Sequence, residues 1–179
     1  MKATALSEWI ARADAAEYAL CRRLNRGAAF AVPRRIFQIA SRLGDGAIWY
    51  AVIVALPLLY GRGAVRPAAV MALTGVAGLA LYRLLKHTLA RERPFMTHSN
   101  IDLGMAPLDR YSFPSGHTLH AVCFTVQAAV HYPALGWVLI PLTLLIAGSR
   151  TVLGLHYPTD VLAGALIGLA LGLLGLSCA

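Results

Sequence analysis

The chain changes character at residues 86–94, which read KHTLARERP and lie between two long apolar segments. A second polar stretch, YSFPSGH, occupies residues 111–117, and a third, SRTVLGLHYPTD, occupies residues 149–160. Ionisable side chains beside membrane-type apolar segments are costly, so their presence there indicates a function. The three stretches therefore predict one composite polar site at one end of a set of apolar helices.

The composition indicates that lipid is the main solvent of this chain. Its 179 residues are 58% hydrophobic and 13% charged, and the mean hydropathy is +0.63. These values fit a single domain of membrane helices better than an ordinary soluble domain. The net charge of +8 favours anionic lipid head groups or a phosphorylated substrate as partners. Nucleic acid is not an expected partner, because the sequence contains no basic-aromatic surface module.

The cysteines and the N-terminus predict neither a disulfide framework nor a secretory signal. Cys21, Cys123 and Cys178 are far apart, and no Cys-x-x-Cys or Cys/His metal spacing occurs. The first residues lack a basic region followed by an apolar core and a small-residue cleavage site. We therefore expect the chain to insert through its own internal spans.

Five apolar segments predict membrane-spanning helices. They are residues 47–60, 68–85, 118–132, 134–148 and 161–176. The first is shorter than the roughly 20 residues that cross a bilayer, so residues before Asp45 extend it or the bilayer thins locally. The last contains glycines near four-residue spacing, a pattern typical of closely packed membrane helices. These glycines are Gly164, Gly168, Gly172 and Gly175.

Residues 1–46 are predicted to form an amphipathic interfacial segment, ahead of a transmembrane domain at residues 47–179. Apolar residues recur at helical spacing between residues 4 and 25, and arginines occupy the other positions. The apolar residues are Leu6, Trp9, Ile10, Ala13, Leu20 and Leu24. A helix with so many charges is expected to lie in the interface, and an ordinary helix packed on the protein is the alternative. Pro33 opens a second short helix that ends in a turn at residues 44–46.

Counting the spans places every polar motif on one side of the membrane. If each apolar segment crosses, residues 1–46 and the three polar stretches share one face. The turns at residues 61–67 and 132–134 then lie on the other face. Most of the arginines outside the polar stretches belong to residues 1–46, whereas the opposite loops offer only Arg62 and Arg66. The positive-inside rule therefore favours a site that faces the cytoplasm.

The residue types of the three stretches suit a phosphate ester. Lys86, Arg93 and Arg150 supply positive groups, and arginine presents a fork that matches phosphate oxygens. Ser115 and Gly116 lie where the third span begins, so helix N–H groups and a hydroxyl can form an anion site there. These groups can hold the charge of a transferred phosphoryl group.

Two histidines complete the predicted chemistry. One attacks phosphorus through a neutral imidazole and forms a phosphohistidine, and the other protonates the departing alcohol. Asp160 follows His156 by four residues, so on a helical turn its carboxylate can hold one ring nitrogen and select the tautomer. This pairing favours His156 as the nucleophile and leaves His117 as the general acid.

These motifs, in this order, resemble the signature of the type 2 phosphatidic acid phosphatase superfamily. The signature is Lys-x6-Arg-Pro, then Pro-Ser-Gly-His, then Ser-Arg-x5-His-x3-Asp, and here it runs from Lys86 to Asp160 without substitution. The resemblance covers about residues 36–176. It implies an all-α polytopic membrane bundle with the core shared by haloperoxidases. That core usually has six transmembrane helices, so the first is missing here or reduced to a surface helix.

The resemblance also implies roles for the motif residues. His156 would be the nucleophile, Asp160 would orient it, and His117 would act as acid and base, without a metal or other cofactor. The phosphate would be bound by Lys86, Arg93, Ser115, Gly116 and Arg150. Other polar residues are predicted to be less central. Asp102, Asp109 and Arg110 lie in the loop over the pocket, where they could select a head group, and Arg83, His87 and Arg91 decorate a helix end.

The expected function is a membrane lipid phosphatase. Its substrate would be phosphatidic acid, phosphatidylglycerol phosphate or an isoprenyl diphosphate, in the inner membrane of a bacterium. A vanadate-dependent haloperoxidase and a non-enzymatic lipid-binding membrane protein are the alternatives. The charge bias favours a cytoplasmic site, whereas many bacterial relatives work on the outer face, and the pattern predicts no particular oligomeric state.

Overall fold

The computed structural model describes residues 2–179, with side chains described for residues 7–9 and 11–179. Leu6 and Ile10 of the predicted amphipathic pattern lie outside the described side chains. The described residues form helices joined by turns and loops, and they contain no β-strand. The helices are α1 (Lys2–Asn25), α2 (Ala31–Leu43), α3 (Ala47–Tyr60), α4 (Val65–Leu89), α5 (Pro94–Thr97), α6 (Gly116–His131), α7 (Pro133–Val152) and α8 (Pro158–Cys178). The predicted all-α helical bundle is confirmed.

The predicted spans correspond to α3, α4, α6, α7 and α8, and all but α3 are longer than their apolar cores. The first predicted segment coincides with α3. The others extend into the polar stretches, so that Lys86, Arg150 and Asp160 belong to the terminal turns of α4, α7 and α8. An apolar segment ends at the first charged residue, whereas the backbone hydrogen bonds of the helix continue past that residue. The helix ends therefore carry the polar motifs directly.

The chain is a multi-pass membrane protein. Three described helical stretches are long and apolar enough to cross a membrane, namely Arg62–Leu89, Pro133–Val152 and Pro158–Cys178. Helices α2 and α3 pass the same test together, as a pair bent by 54°. The turn at Asp45 lies at this bend, so the two helices form either one broken span or a re-entrant loop. Helix α6 has 16 residues and is shorter than the roughly 20 residues that cross a bilayer.

Helix α6 is the centre of the bundle and contacts α4, α7 and α8. Its closest neighbour is α8, whose glycines lie on the α6 backbone. A Cβ atom at Gly164 would collide with the carbonyl oxygen of Ser115, and one at Gly168 with that of Leu119. Gly172 faces Cys123 in the same way, one turn further along. The glycine series thus allows two helix backbones to approach directly, as membrane helices do at small residues.

We expect Gly168→Ala to destabilise the protein strongly. The added methyl group meets backbone atoms of α6, which cannot rotate away as a side chain can. Overpacking of this kind should lower the free energy of unfolding by about 3 kcal/mol, and the midpoint of thermal unfolding in detergent measures it. Gly63→Ala is the matched control, because a Cβ there meets no atom within 4 Å. Equal midpoints for the two variants would contradict the close approach.

Helix α1 packs across the end of the bundle that carries the polar motifs. It contacts α7 and α8, and the Asn25 side chain donates hydrogen bonds to the carbonyl oxygens of Asp102 and Val152, both at 2.9 Å. Trp9 and Leu20 remain exposed, at 71% and 46%. The predicted helix over residues 4–25 is present, and it both packs on the protein and presents apolar side chains outward.

Candidate active site

The three polar stretches meet around one small cavity of about 20 Å³. It lies where the end of α4, the start of α6 and the end of α7 face the loop that precedes α8. Six of the predicted site residues line it, and they come from all three stretches: Lys86, Arg93, Gly116, His117, Arg150 and His156. Residues far apart in sequence thus share one pocket, as the composite site requires.

Arg93 is the central cation of the pocket and is almost fully buried. Its Nη1 donates to the carbonyl oxygen of Leu155 at 2.8 Å and lies 3.2 Å from His156 Nε2. Arg93 is the N-cap of α5 with an extended backbone, and Pro94 follows it at the first position of that helix. The guanidinium therefore fixes the loop that carries His156.

The contact with Arg93 determines the tautomer of His156. A guanidinium can only donate hydrogen bonds, so Nε2 accepts and carries a lone pair toward the pocket. The proton then resides on Nδ1, which lies 3.7 Å from Asp160 Oδ2. Burial, together with the nearby charges of Arg150 and Arg93, lowers the pKa of His156 well below its usual range. The imidazole is therefore neutral near pH 7, as a nitrogen nucleophile must be.

Asp160 is fully buried behind His156 and is held from two sides. Its Oδ2 accepts the backbone N–H of Tyr157 at 2.8 Å, and its Oδ1 accepts from Arg91 Nη1 at 2.7 Å. Arg91 also pairs with Glu17 of α1 at 2.6 Å. The sequence interpretation treated Arg91 as decoration of a helix end, but its guanidinium bridges α1 to the buried carboxylate.

His117 pairs with a carboxylate that the motifs do not contain. Its Nε2 lies 2.7 Å from Oδ1 of Asp45, in the turn between α2 and α3. The His117 side chain is 10% exposed and that of Asp45 is 34% exposed. The sequence interpretation took residues 44–46 only as a turn. A lone acidic residue between two glycines, on the predicted side of the motifs, was the available signal.

Ser115 lies beside the cavity as the N-cap of α6. Its hydroxyl contacts the Thr118 hydroxyl at 3.0 Å and accepts the Thr118 backbone N–H at 3.5 Å. The structure therefore places Ser115 at the helix start but not among the residues that line the cavity. Arg150 lines the cavity, and its Nη1 donates to the Ser41 hydroxyl of α2. Its buried Nε has no hydrogen-bond partner among the described residues.

The cations of the pocket are bound by Asp109, from the loop between α5 and α6. Its carboxylate lies 2.5 Å from Lys86 Nζ and 2.7 Å from Arg93 Nη2, and it accepts from the Tyr82 hydroxyl at 2.8 Å. Burial alone would raise the pKa of Asp109, but the hydrogen bonds from Lys86 and Tyr82 lower it to about 2. Of the three loop residues singled out from the sequence, Asp109 lines the cavity, whereas Asp102 is exposed and Arg110 faces Glu92.

An apolar groove of about 390 Å³ adjoins the polar cavity. The two share Tyr82, Leu108, Gly116 and His117. The groove runs between α3 and α4, and its wall includes the outward-facing side chains of Tyr50, Val54 and Val76, which are 61–72% exposed. A molecule with a charged end and an apolar chain could place both ends here at once. Among the described residues, no group of His, Cys, Asp and Glu is arranged to hold a metal ion.

The sequence as a whole matches a known family. A sequence profile of the PAP2 superfamily, the type 2 phosphatidic acid phosphatases, aligns with residues 63–179. The chain belongs to the PAP2 superfamily. The match includes all three motif stretches and helices α4 to α8, so the resemblance read from the motifs is confirmed.

Most of this chain aligns with individual relatives in sequence and with a solved structure in fold. The undecaprenyl-diphosphatase BcrC of Bacillus subtilis is 33% identical over 70% of this chain and 65% of its own length. An undecaprenyl-diphosphatase of Sulfolobus acidocaldarius is 32% identical over 72% of this chain and 62% of its own length. The crystal structure of LpxE from Aquifex aeolicus superposes with a TM-score of 0.79, at 26% identity, over 89% of this chain and 93% of that one. The chain thus spans somewhat less than two thirds of the curated relatives.

Proposed function

We propose that this PAP2 protein is a membrane phosphatase that hydrolyses a lipid phosphate or diphosphate through a phosphohistidine intermediate. The observation that carries the proposal is the junction of the cation-lined cavity with the apolar groove at Tyr82 and His117. A phosphate head group suits the cation-lined cavity, and a hydrocarbon chain suits the apolar groove. Phosphatidic acid, phosphatidylglycerol phosphate and an isoprenyl diphosphate all have this form.

His156 is proposed as the nucleophile. Its Nε2 lone pair attacks phosphorus, a P–N bond forms, and the bond from phosphorus to the leaving oxygen breaks. Lys86, Arg93 and Arg150 hold the non-bridging oxygens, and Gly116 presents the start of α6 to them. Asp160 stabilises the positive charge that the imidazole gains as the P–N bond forms. Ser115 contributes by capping α6, a role consistent with its hydroxyl contacts to Thr118.

His117 is proposed as the acid and base, with Asp45 as its positioning partner. His117 gives a proton to the leaving oxygen in the first step. In the second step it takes a proton from the water that attacks the phosphohistidine, so that the P–N bond breaks and inorganic phosphate leaves. Burial and the charge of Arg150 lower the pKa of His117, and the carboxylate of Asp45, 2.7 Å from the ring, opposes that shift and so supports the protonated imidazole that the first step needs.

An isoprenyl diphosphate is the substrate that we favour within this class. The support is that two relatives of this chain are named undecaprenyl-diphosphatases, and that the groove beside the polar cavity is lined mainly by apolar side chains. We further propose that the site faces the cytoplasm and that α1 rests in the interface there. The span count puts residues 1–46 on the side of the site, and these residues contain most of the arginines outside the polar stretches. A cysteine-accessibility map that places residues 1–46 outside would contradict this orientation.

The experiment that tests the function is a substrate panel with the purified protein in detergent, with a chelator present. Phosphatidic acid, phosphatidylglycerol phosphate and an isoprenyl diphosphate are compared for release of inorganic phosphate. We expect release from at least one, and most rapidly from the isoprenyl diphosphate. No release from any of them by folded protein would refute the proposal. Halide oxidation in the presence of vanadate and peroxide would favour the haloperoxidase alternative instead.

We expect Asp45→Asn to reduce kcat by about tenfold to a hundredfold. Asparagine keeps the size and a hydrogen bond but cannot stabilise a positive imidazole. The Michaelis constant for the lipid should change little, because Asp45 contacts no phosphate-binding cation within hydrogen-bond distance. Asp14→Asn in α1, an exposed position, is the control for loss of one charge. An unchanged kcat would exclude a role for Asp45 in the proton transfers.

A further inference from the structure

Two of the cations proposed to bind substrate phosphate, Lys86 and Arg93, are already bound to a carboxylate of the chain itself. Asp109 Oδ1 lies within 2.5 Å of Lys86 Nζ and 2.7 Å of Arg93 Nη2, and Oδ2 accepts from the Tyr82 hydroxyl at 2.8 Å. Two cations and a hydroxyl around one pair of oxygens form a donor set typical of phosphate binding. A phosphate group and Asp109 therefore compete for the same atoms.

The space beside Asp109 is too small for both anions. The cavity between Lys86, Arg93 and Arg150 measures about 20 Å³, which is room for about one water molecule. A phosphate group has five heavy atoms where water has one, so it does not fit there while the carboxylate stays in place. Its binding requires the carboxylate to withdraw, after which the same cations and the unpartnered Nε of Arg150 can face the phosphate oxygens.

The surrounding loop permits that withdrawal without loss of a helix. The chain is tied at Gly104, whose N–H donates to the Leu153 carbonyl at 3.0 Å, and at Ser112, whose N–H donates to the Arg91 carbonyl at 2.7 Å. Between these ties the backbone is irregular, and Leu108 is 70% exposed. Asp109 is held chiefly by its contacts with the cations, through its side chain and through its carbonyl oxygen on Arg93 Nε.

We propose that Asp109 is a specificity-determining residue, an internal anion that a terminal phosphate displaces and a phosphodiester head group does not. The inference rests on the proposed lipid phosphatase function. A phosphodiester carries one negative charge, as the carboxylate does, and it must compete with a group tethered at high effective concentration. A terminal phosphate carries up to two charges and three free oxygens, so it gains more from Lys86 and Arg93.

The advantage is greatest at a membrane surface. Bulk phosphodiester lipids are present there in large excess over any phosphorylated intermediate, and an unguarded cluster of cations attracts them. Asp109 neutralises the cluster against this background. Expelling the carboxylate costs every anion the same free energy. A monoanion gains less from Lys86 and Arg93, so it no longer binds at its concentration in the membrane surface, whereas a terminal phosphate still binds. This is selection against unwanted partners rather than improved contact with the substrate.

The test compares Asp109→Asn with Asp102→Asn, each introduced into the His156→Ala protein so that turnover does not interfere. Asp102 is in the same loop, is exposed and contacts Asn25 through its backbone, so its replacement removes the same charge without touching the cations. Orthophosphate binding is measured from the rise in the midpoint of thermal unfolding. We expect Asp109→Asn to bind orthophosphate at least about tenfold more tightly than the parent, because the competent state no longer has to expel a carboxylate. The control should match the parent.

The selectivity is measured in mixed micelles with the active protein. Phosphatidylglycerol should inhibit Asp109→Asn at concentrations that leave the parent and Asp102→Asn unaffected. Equal or weaker orthophosphate binding by Asp109→Asn, or equal inhibition of all three proteins, would overturn the inference. If Asp109→Asn does not fold, Asp109→Ala removes the same anion and leaves every donor in place, so it should tighten orthophosphate binding to a similar extent; unchanged or weaker binding then overturns the inference. Because orthophosphate binding requires no turnover, failure of the lipid panel and failure of this inference give different results.

Discussion

His156→Ala is expected to lower phosphate release from the best lipid substrate by about 10⁴-fold or more. Alanine has no lone pair to attack phosphorus, so the covalent route is lost and only the electrostatic environment of the pocket remains. The value of kcat/KM measures the loss. A rapid acid-free quench of the parent protein with labelled substrate should also trap a phosphoprotein that the variant cannot form.

His87→Ala is the matched control for that experiment. His87 lies in the last turn of α4, next to Lys86, but it is exposed and does not line the cavity. We expect it to keep nearly full activity. If folded His156→Ala retained more than about one hundredth of the parent activity, the covalent mechanism would be wrong. A lipid-binding protein without enzymatic function would show no difference between the two variants.

Asp160→Asn should have the second largest effect, a decrease of about 10³-fold in kcat. Arg93 occupies Nε2 of His156 as a donor, so the proton belongs on Nδ1, 3.7 Å from the Asp160 carboxylate. Asparagine can present its amide N–H groups to Nδ1 and favour the wrong tautomer, and it cannot stabilise the charge that develops on the ring. Binding of orthophosphate should change much less than kcat.

Arg91→Gln separates the chemical role of Asp160 from its structural one. This change breaks the bonds to Asp160 Oδ1 and Glu17 but leaves the carboxylate beside His156. We expect a loss of about tenfold, together with a lower midpoint of thermal unfolding because α1 loses its tie to the buried carboxylate. If Arg91→Gln lowered kcat as much as Asp160→Asn does, Arg91 and Asp160 would act only by stabilising the local structure.

The span pattern and the motif residues were predictable because both depend on residues that are close together in the sequence. Apolar runs of sufficient length predict helices in lipid, and the fixed spacings around Arg93 and His156 indicate one chemistry. The glycine series of α8 is of the same kind, since its period alone predicts a close helix contact. Side-chain placement within each motif follows from the helix end on which it lies, as at Lys86 and Arg150.

The partners of these residues were not predictable in the same way. Asp45, Arg91 and Asp109 sit in turns and loops whose sequence carries no period, and their roles arise from contacts with residues far along the chain. The bend between α2 and α3 brings Asp45 to His117, and the packing of α1 across the bundle end lets Glu17 hold Arg91.

The sequence by itself determined a helical membrane bundle, the convergence of its polar motifs on one face, and the membership of the PAP2 superfamily that those motifs predict. Only the tertiary structure decided which carboxylate lies beside which histidine, and that Asp109 pairs with two of the cations proposed to bind phosphate. The physical reason is that local spacing sets helices and their faces. The pairing of charges depends instead on the positions of the loops in the folded protein. A difference of a few ångströms there decides whether a charged side chain forms an ion pair or is solvated.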